Sequence, residues 1–161
     1  YIHLHTNATL WDEKMWEDMK NIHPYVKTCE ISIDAAIKET YENITRLGGN
    51  WDKLISNLKF ISTIKSLTSV KCSFVVQQSN YTEMTEFLKL IHGIFGMKTK
   101  VFFGKITNWG TFSEGQYKLI KVWDNSHPEF NLFLEEFKKV ALNPFVFHNM
   151  YELLENKKSL I

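Results

Sequence analysis

An acid, a hydroxyl and a second acid alternate in the stretch "CEISID" at residues 29–34. In a β-strand, Glu30, Ser32 and Asp34 project from one face and apolar side chains from the other. Strands of parallel sheets are normally apolar on both faces, whereas carboxylates and hydroxyls bind polar ligands through hydrogen bonds. The alternation therefore predicts a binding face, with its ligand at the carboxyl end of the strand.

Two histidines alternate in the same way near the start of the chain. His3 and His5 share a face of the first predicted strand with Asn7. Imidazole is a common metal ligand, but no third ligand is evident in the sequence beside the pair. The pattern favours two hydrogen-bonded histidines in a cleft, and no metal site is predicted.

Arg46 is the only arginine in the sequence. A guanidinium can bind a carboxylate through two parallel hydrogen bonds, which a lysine ammonium cannot do. Arg46 ends the helix predicted after Asp34. The alternative is that Arg46 caps the end of that helix.

The elements that position these residues alternate between strand and helix, which is typical of βαβ units in a parallel sheet. We expect an α/β fold, an incomplete parallel β/α barrel whose concave, largely polar face lines a cleft. An antiparallel sheet with one solvent-exposed face would show the same alternation, although long helical crossovers argue against it. The predicted strands are Ile2–Thr6, Cys29–Asp34, Val70–Gln77 and Lys100–Thr107.

The predicted helices follow apolar residues at helical spacing. Asn80 and Glu83 resemble a capping box, and Gly96 ends the helix that they begin. Residues 1–108 are expected to form the barrel segment and residues 109–161 a mostly helical C-terminal extension. The helical segments are Trp11–His23, Ala35–Arg46, a helix capped by Asn50, a helix from Asn80 to Phe95, a helix that starts near Pro128, and Asn149–Glu155.

Composition limits the classes of function. A net charge of +1 in 161 residues gives no argument for a nucleic acid or an anionic membrane as partner. No apolar run approaches the roughly 20 residues of a membrane helix. Two cysteines, Cys29 and Cys72, indicate free buried thiols in a reducing, cytoplasmic compartment. Because the chain begins without Met inside a predicted strand, we expect a fragment of a longer protein.

Four motifs, in order, resemble the radical S-adenosylmethionine enzymes, and most closely the branch that modifies peptides and includes the SPASM-containing members. The motifs are "LHTN" in the first strand, "SID" in the second, "YENITRLGG" after it and "FVVQQSN" in the third. Two features depart from the family pattern: Ala8 and Ala35 replace glycines, and the motif Cys-x-x-x-Cys-x-x-Cys is absent. The resemblance implies the second half of a partial β/α barrel, without the part that holds the cluster.

The resemblance implies a parent oxidoreductase that cleaves S-adenosylmethionine reductively with a [4Fe–4S] cluster. That enzyme would abstract hydrogen from a small-molecule or peptide substrate. This chain alone would be inactive and would hold neither cofactor tightly. Cys29 and Cys72 are too few for the cluster.

The resemblance also assigns roles to individual residues. Ser32 and Arg46 match residues that contact the carboxylate of S-adenosylmethionine. The remaining implied contacts are Thr6 and Asn7 with the ribose or substrate region, Asp34 with ribose or substrate, Gln77 and Asn80 with the adenosyl group, and Thr107 beside Ile106 with adenine. Helix capping is the alternative role of Asp34 and Asn80.

A second class of function remains open, namely a cluster-free β/α module that binds a small ligand or a protein partner. The sheet edge exposed by a missing half-barrel would then favour dimerisation.

Overall fold

The computed structural model describes residues 1–155 and contains one sheet of five parallel strands in the order β1-β2-β3-β4-β5. Parallel strands in sequential order are typical of a segment of a β/α barrel, whereas doubly wound sheets reverse direction. The predicted α/β parallel fold is confirmed, and the antiparallel alternative is wrong. The strands are β1 (Ile2–Thr6), β2 (Val26–Ser32), β3 (Ser69–Val76), β4 (Lys100–Lys105) and β5 (Val146–His148).

Helical segments connect the strands. Short 3₁₀ helices cover Lys20–Tyr25 and Tyr81–Glu83, and a π-helical turn covers Tyr41–Thr45. Within residues 1–155, no helix combines the length and the apolar character needed to cross a bilayer. The α-helices are α1 (Glu13–Asp18), α2 (Lys38–Thr40), α3 (Trp51–Ser62), α4 (Met84–Phe95), α5 (Glu114–Ile120), α6 (Phe130–Ala141) and α7 (Glu152–Glu155).

The two faces of the sheet differ in burial. The face that packs on the helices is apolar and buried, with aromatic rings of Phe74 and Phe103 against Phe87 of α4. The opposite face carries side chains that are partly or fully exposed. Its members, in register across the sheet, include His3 and His5, Glu30 and Ser32, Lys71 and Ser73, Phe102, and Phe147.

The fifth strand corrects the expectation of about four. Val146–His148 pairs with β4, so residues beyond 108 supply part of the sheet as well as helices. The strand has three residues, which is too short for alternation to be recognised in the sequence. Helix α6 ends at Ala141, and Asn143 then leads into β5, since its backbone carbonyl accepts a hydrogen bond from the N–H of Val146.

The predicted helix Ala35–Arg46 is the largest error of secondary structure. Residues 35–37 are not helical, and Ile37 is extended with φ −128° and ψ 154°. Helix α2 has only three residues and passes into the π-helical turn that ends before Arg46. This irregular segment sets the position of the arginine relative to the end of β2.

Candidate functional site

Three polar side chains meet at the carboxyl end of β2. Arg46 Nη2 lies 2.7 Å from Asp34 Oδ2 and donates to Ser32 Oγ at 3.0 Å. Ser32 Oγ in turn donates to Asp34 Oδ2 at 3.1 Å. The side chains of Asp34 and Arg46 are 9% and 31% exposed, so the ion pair is largely shielded from water on the acidic side. Sequence reasoning predicted all three residues, and the structure brings them together.

Asp34 has a strained backbone that its hydrogen bonds maintain. Its φ of +67° is in the left-handed region, which is uncommon for residues other than glycine. Asp34 Oδ1 accepts from the backbone N–H of Val75 at 2.8 Å, and its carbonyl oxygen accepts from Asn80 Nδ2 at 3.0 Å. The carboxylate is thus tied to β3 as well as to Arg46. Helix capping, the alternative role predicted for Asp34, is wrong because the helix that follows begins after Ile37.

Asn80 connects β3 to the loop after β2. Its Nδ2 donates to the carbonyl oxygens of Asp34 and Val75, and its Oδ1 accepts from the backbone N–H of Gln77. No side-chain capping bond forms at the following helix, so the predicted capping role is wrong. Asn80 is fully buried. It positions the residues of this edge and is not exposed for a ligand in this structure.

Glu83 accepts hydrogen bonds from the segment that follows β2, a role that the sequence did not predict. Its buried carboxylate accepts from the backbone N–H groups of Ala36 and Ile37 at 2.7 and 3.2 Å and from the Thr40 hydroxyl. These bonds satisfy backbone donors of the irregular segment. The predicted capping box, in which Glu83 would fold back on its own helix, is therefore wrong. Its partners are more than 40 residues away in the sequence, so local spacing gave no signal.

A cavity of about 320 Å³ opens beside the ion pair. Its volume is at the lower end of small-molecule sites, about 300–1,000 Å³. Arg46 Nε is buried and has no hydrogen-bond partner among the described residues. The cavity is lined by a carboxylate and a guanidinium, which suit a ligand that carries both charges. Its lining residues are Asp34, Ile44, Thr45, Arg46, Val75, Gln77 and Ile106.

The other residues predicted to contact the ligand differ in their position relative to this cavity. Thr6 ends β1 and Asn7 follows it, but both bond locally, to the N–H of Ala8 and to Thr9 respectively. Ile106 lines the cavity, whereas Thr107 is not among the described residues that do so. Gln77 lines the cavity as predicted. The structure thus gathers Asp34, Arg46 and Gln77 around one opening, and Ser32 bonds to the first two without lining it.

Both cysteines face the helices. Burial raises the pKa of the Cys29 thiol to about 12 and raises the pKa of Cys72 further above its ordinary value. Both are free and buried, as the sequence predicted. A buried thiol of raised pKa is a poor nucleophile and a poor metal ligand. The residues of this chain therefore do not fit a [4Fe–4S] cluster.

We expect neither cysteine to react in the folded protein, because each thiol is inaccessible and protonated at pH 8. Ellman's reagent should detect no thiol in native protein and both thiols after denaturation in urea. Free cysteine, added to native protein, is the control for reagent activity. Rapid release of colour from the native chain would contradict the burial of this face.

Comparison with known proteins does not assign the chain to a family. No model of a known protein family matches the chain, and a search of curated proteins finds no significant match. The functional proposal therefore depends on the geometry of the carboxyl edge and on the motifs in the sequence.

Proposed function

We propose that the cavity at the carboxyl edge binds the amino-acid end of S-adenosylmethionine, and that the chain is part of a longer radical S-adenosylmethionine enzyme. In such an enzyme, the cluster and S-adenosylmethionine together supply a radical that abstracts hydrogen from a small-molecule or peptide substrate. The observation that carries the proposal is the convergence of Ser32, Asp34 and Arg46 beside one opening.

The charges of this cavity suit a zwitterion. A ligand carboxylate can accept from the guanidinium of Arg46, whose side chain is 31% exposed. A ligand ammonium can approach the carboxylate of Asp34. Because Asp34 already holds Arg46 at 2.7 Å, a ligand carboxylate must share or displace this internal partner. Competition of this kind reduces affinity.

We expect the chain alone to bind S-adenosylmethionine with a dissociation constant no lower than about 1 mM, which is about 4 kcal/mol of binding free energy. The expectation follows from the small cavity, the internal carboxylate and two buried cysteines that cannot hold a cluster. Isothermal titration calorimetry measures the constant. Micromolar binding would contradict it.

The single arginine offers a direct probe of where the ligand binds. In a ¹H–¹⁵N spectrum the Nε–H correlation of Arg46 is the only arginine signal. We expect it to shift with millimolar S-adenosylmethionine, and to shift much less with adenosine, which lacks the amino-acid group. An unchanged arginine signal, or an equal shift with adenosine, would reject this site as the one that binds the amino-acid end.

A second candidate is a cluster-free β/α module that binds a small zwitterionic ligand or a protein partner and pairs through the β1 edge with a second copy. The sequence encoded upstream of Tyr1 separates the candidates, since a three-cysteine motif there supports the enzyme. Anaerobic reconstitution of that longer chain with iron and sulfide would give brown absorbance only if a cluster forms.

A further inference from the structure

Two histidines and a glutamate converge on the exposed face of the sheet, at the β1 edge. His3 and His5 are alternate residues of β1, and Glu30 of β2 is in register with His5. One ligand atom from each of the three side chains lies within 4.8 Å of the other two. The two imidazole rings lie edge to face, with centroids 4.6 Å apart. The third ligand that the histidine pair lacked in the sequence is therefore supplied by the neighbouring strand.

We propose that His3, His5 and Glu30 bind a Zn²⁺ ion, with the fourth coordination position open to solvent. Two imidazoles and one carboxylate are a ligand set that Zn²⁺ accepts in sites that keep an open position. Tetrahedral bonds of about 2.0–2.1 Å place ligand atoms about 3.4 Å apart. The ligand atoms of the three side chains are now at most 4.8 Å apart. Side-chain rotation can therefore bring them to the distances that Zn²⁺ requires.

The surroundings of the three ligands favour this closure. The His5 side chain is 70% exposed and free to rotate, whereas the Glu30 side chain is 18% exposed and held in place. Thr28 Oγ1 bonds Nδ1 of His3 and leaves the other ring nitrogen for a metal. Lys71 Nζ lies 2.6 Å from Glu30 Oε2. The same Oε2 lies 3.9 Å from His5 Nδ1, so Zn²⁺ must displace this ammonium from Oε2 or take Oε1 instead.

The zinc site is independent of the proposed S-adenosylmethionine cavity. The residues that line that cavity are Asp34 and Arg46 with their neighbours, and none of the three ligands is among them. Failure of one proposal therefore leaves the other intact. Because the fourth position faces solvent, the site can accept a water molecule or an anionic group of a substrate as the last ligand.

The test is a titration of the full, untagged chain with Zn²⁺ against a chelating dye, followed by visible spectroscopy with Co²⁺. We expect one ion per chain, with a dissociation constant well below about 100 µM, and the absorption bands of four-coordinate Co²⁺. Zn²⁺ and Co²⁺ are chosen because Cu²⁺ and Ni²⁺ favour square-planar sites. In the untagged chain, the free amino group of Tyr1 together with His3 would offer such a site to Cu²⁺ or Ni²⁺.

His5→Ala and Glu30→Gln should each weaken Zn²⁺ binding at least about tenfold. His127→Gln, at a histidine outside the cluster, is the matched control and should bind as the parent does. Circular dichroism establishes that each variant folds, and His5 is exposed enough to be replaced without loss of the core.

Two results would overturn the proposal. One is binding weaker than about 100 µM in the parent chain. The other is binding that persists unchanged in both His5→Ala and Glu30→Gln, which would locate the ion elsewhere.

Discussion

Replacing Arg46 with Met should lower the free energy of unfolding by about 2–3 kcal/mol. The Asp34 carboxylate, 9% exposed, would lose its charged partner within residues 1–155 and retain Ser32 Oγ and the N–H of Val75. Loss of one member of a fully buried pair costs about 3–5 kcal/mol, and the partial exposure of Arg46 reduces that figure. Urea unfolding followed by circular dichroism measures the difference.

A double-mutant cycle separates the ion pair from the rest of the arginine side chain. Asp34→Asn removes the charge that Arg46→Met leaves buried, so the double variant should lose less stability than the two single losses combined. Lys38→Met is the matched control: its partner Asp52 is on the surface, and no measurable loss is expected. If the losses of unfolding free energy in the two single variants add up to that of the double variant, the interaction between Asp34 and Arg46 contributes nothing to stability.

The strands whose pattern is regular could be predicted from the sequence. Strand β1 was predicted with its observed bounds, and the other predicted strands overlap β2, β3 and β4. Strand β5 was missed because Val146–His148 has too few residues for a period to be visible. The parallel direction of the strands was predicted from the long helical segments between them. Such a prediction depends on the length of the connections and not on any single residue.

The site was predictable only in part, for a physical reason. Ser32 and Arg46 came from motifs, and the structure places their side chains 3.0 Å apart. The capping roles predicted for Asn80 and Glu83 are wrong. Both side chains instead bond to backbone groups more than 40 residues away. Local spacing cannot reveal such bonds. Glu30 was seen as part of a polar face, but its register with His5 depends on strand pairing.

Replacing Phe74 with Ala should cost about 4 kcal/mol of unfolding free energy. Phe74 of β3 is fully buried, and its ring centroid lies 4.9 Å from that of Phe87 and 5.6 Å from that of Phe103. Truncation would leave a cavity between the sheet and α4 and would remove two aromatic contacts. Urea unfolding gives the loss, and Phe74→Leu should show a smaller one if the Ala variant is too unstable to measure.

Phe147→Ala is the matched control for Phe74, because both phenylalanines belong to the same sheet and project from opposite faces. The Phe147 side chain lies on the exposed face, 44% exposed, with Lys100 Nζ 6.0 Å from its ring centroid. Its truncation should cost less than about 1 kcal/mol. Equal losses at the two positions would contradict a core on one side of the sheet. A large difference would show that the core lies on the helix side of the sheet and that the face carrying Phe147 adds little to it.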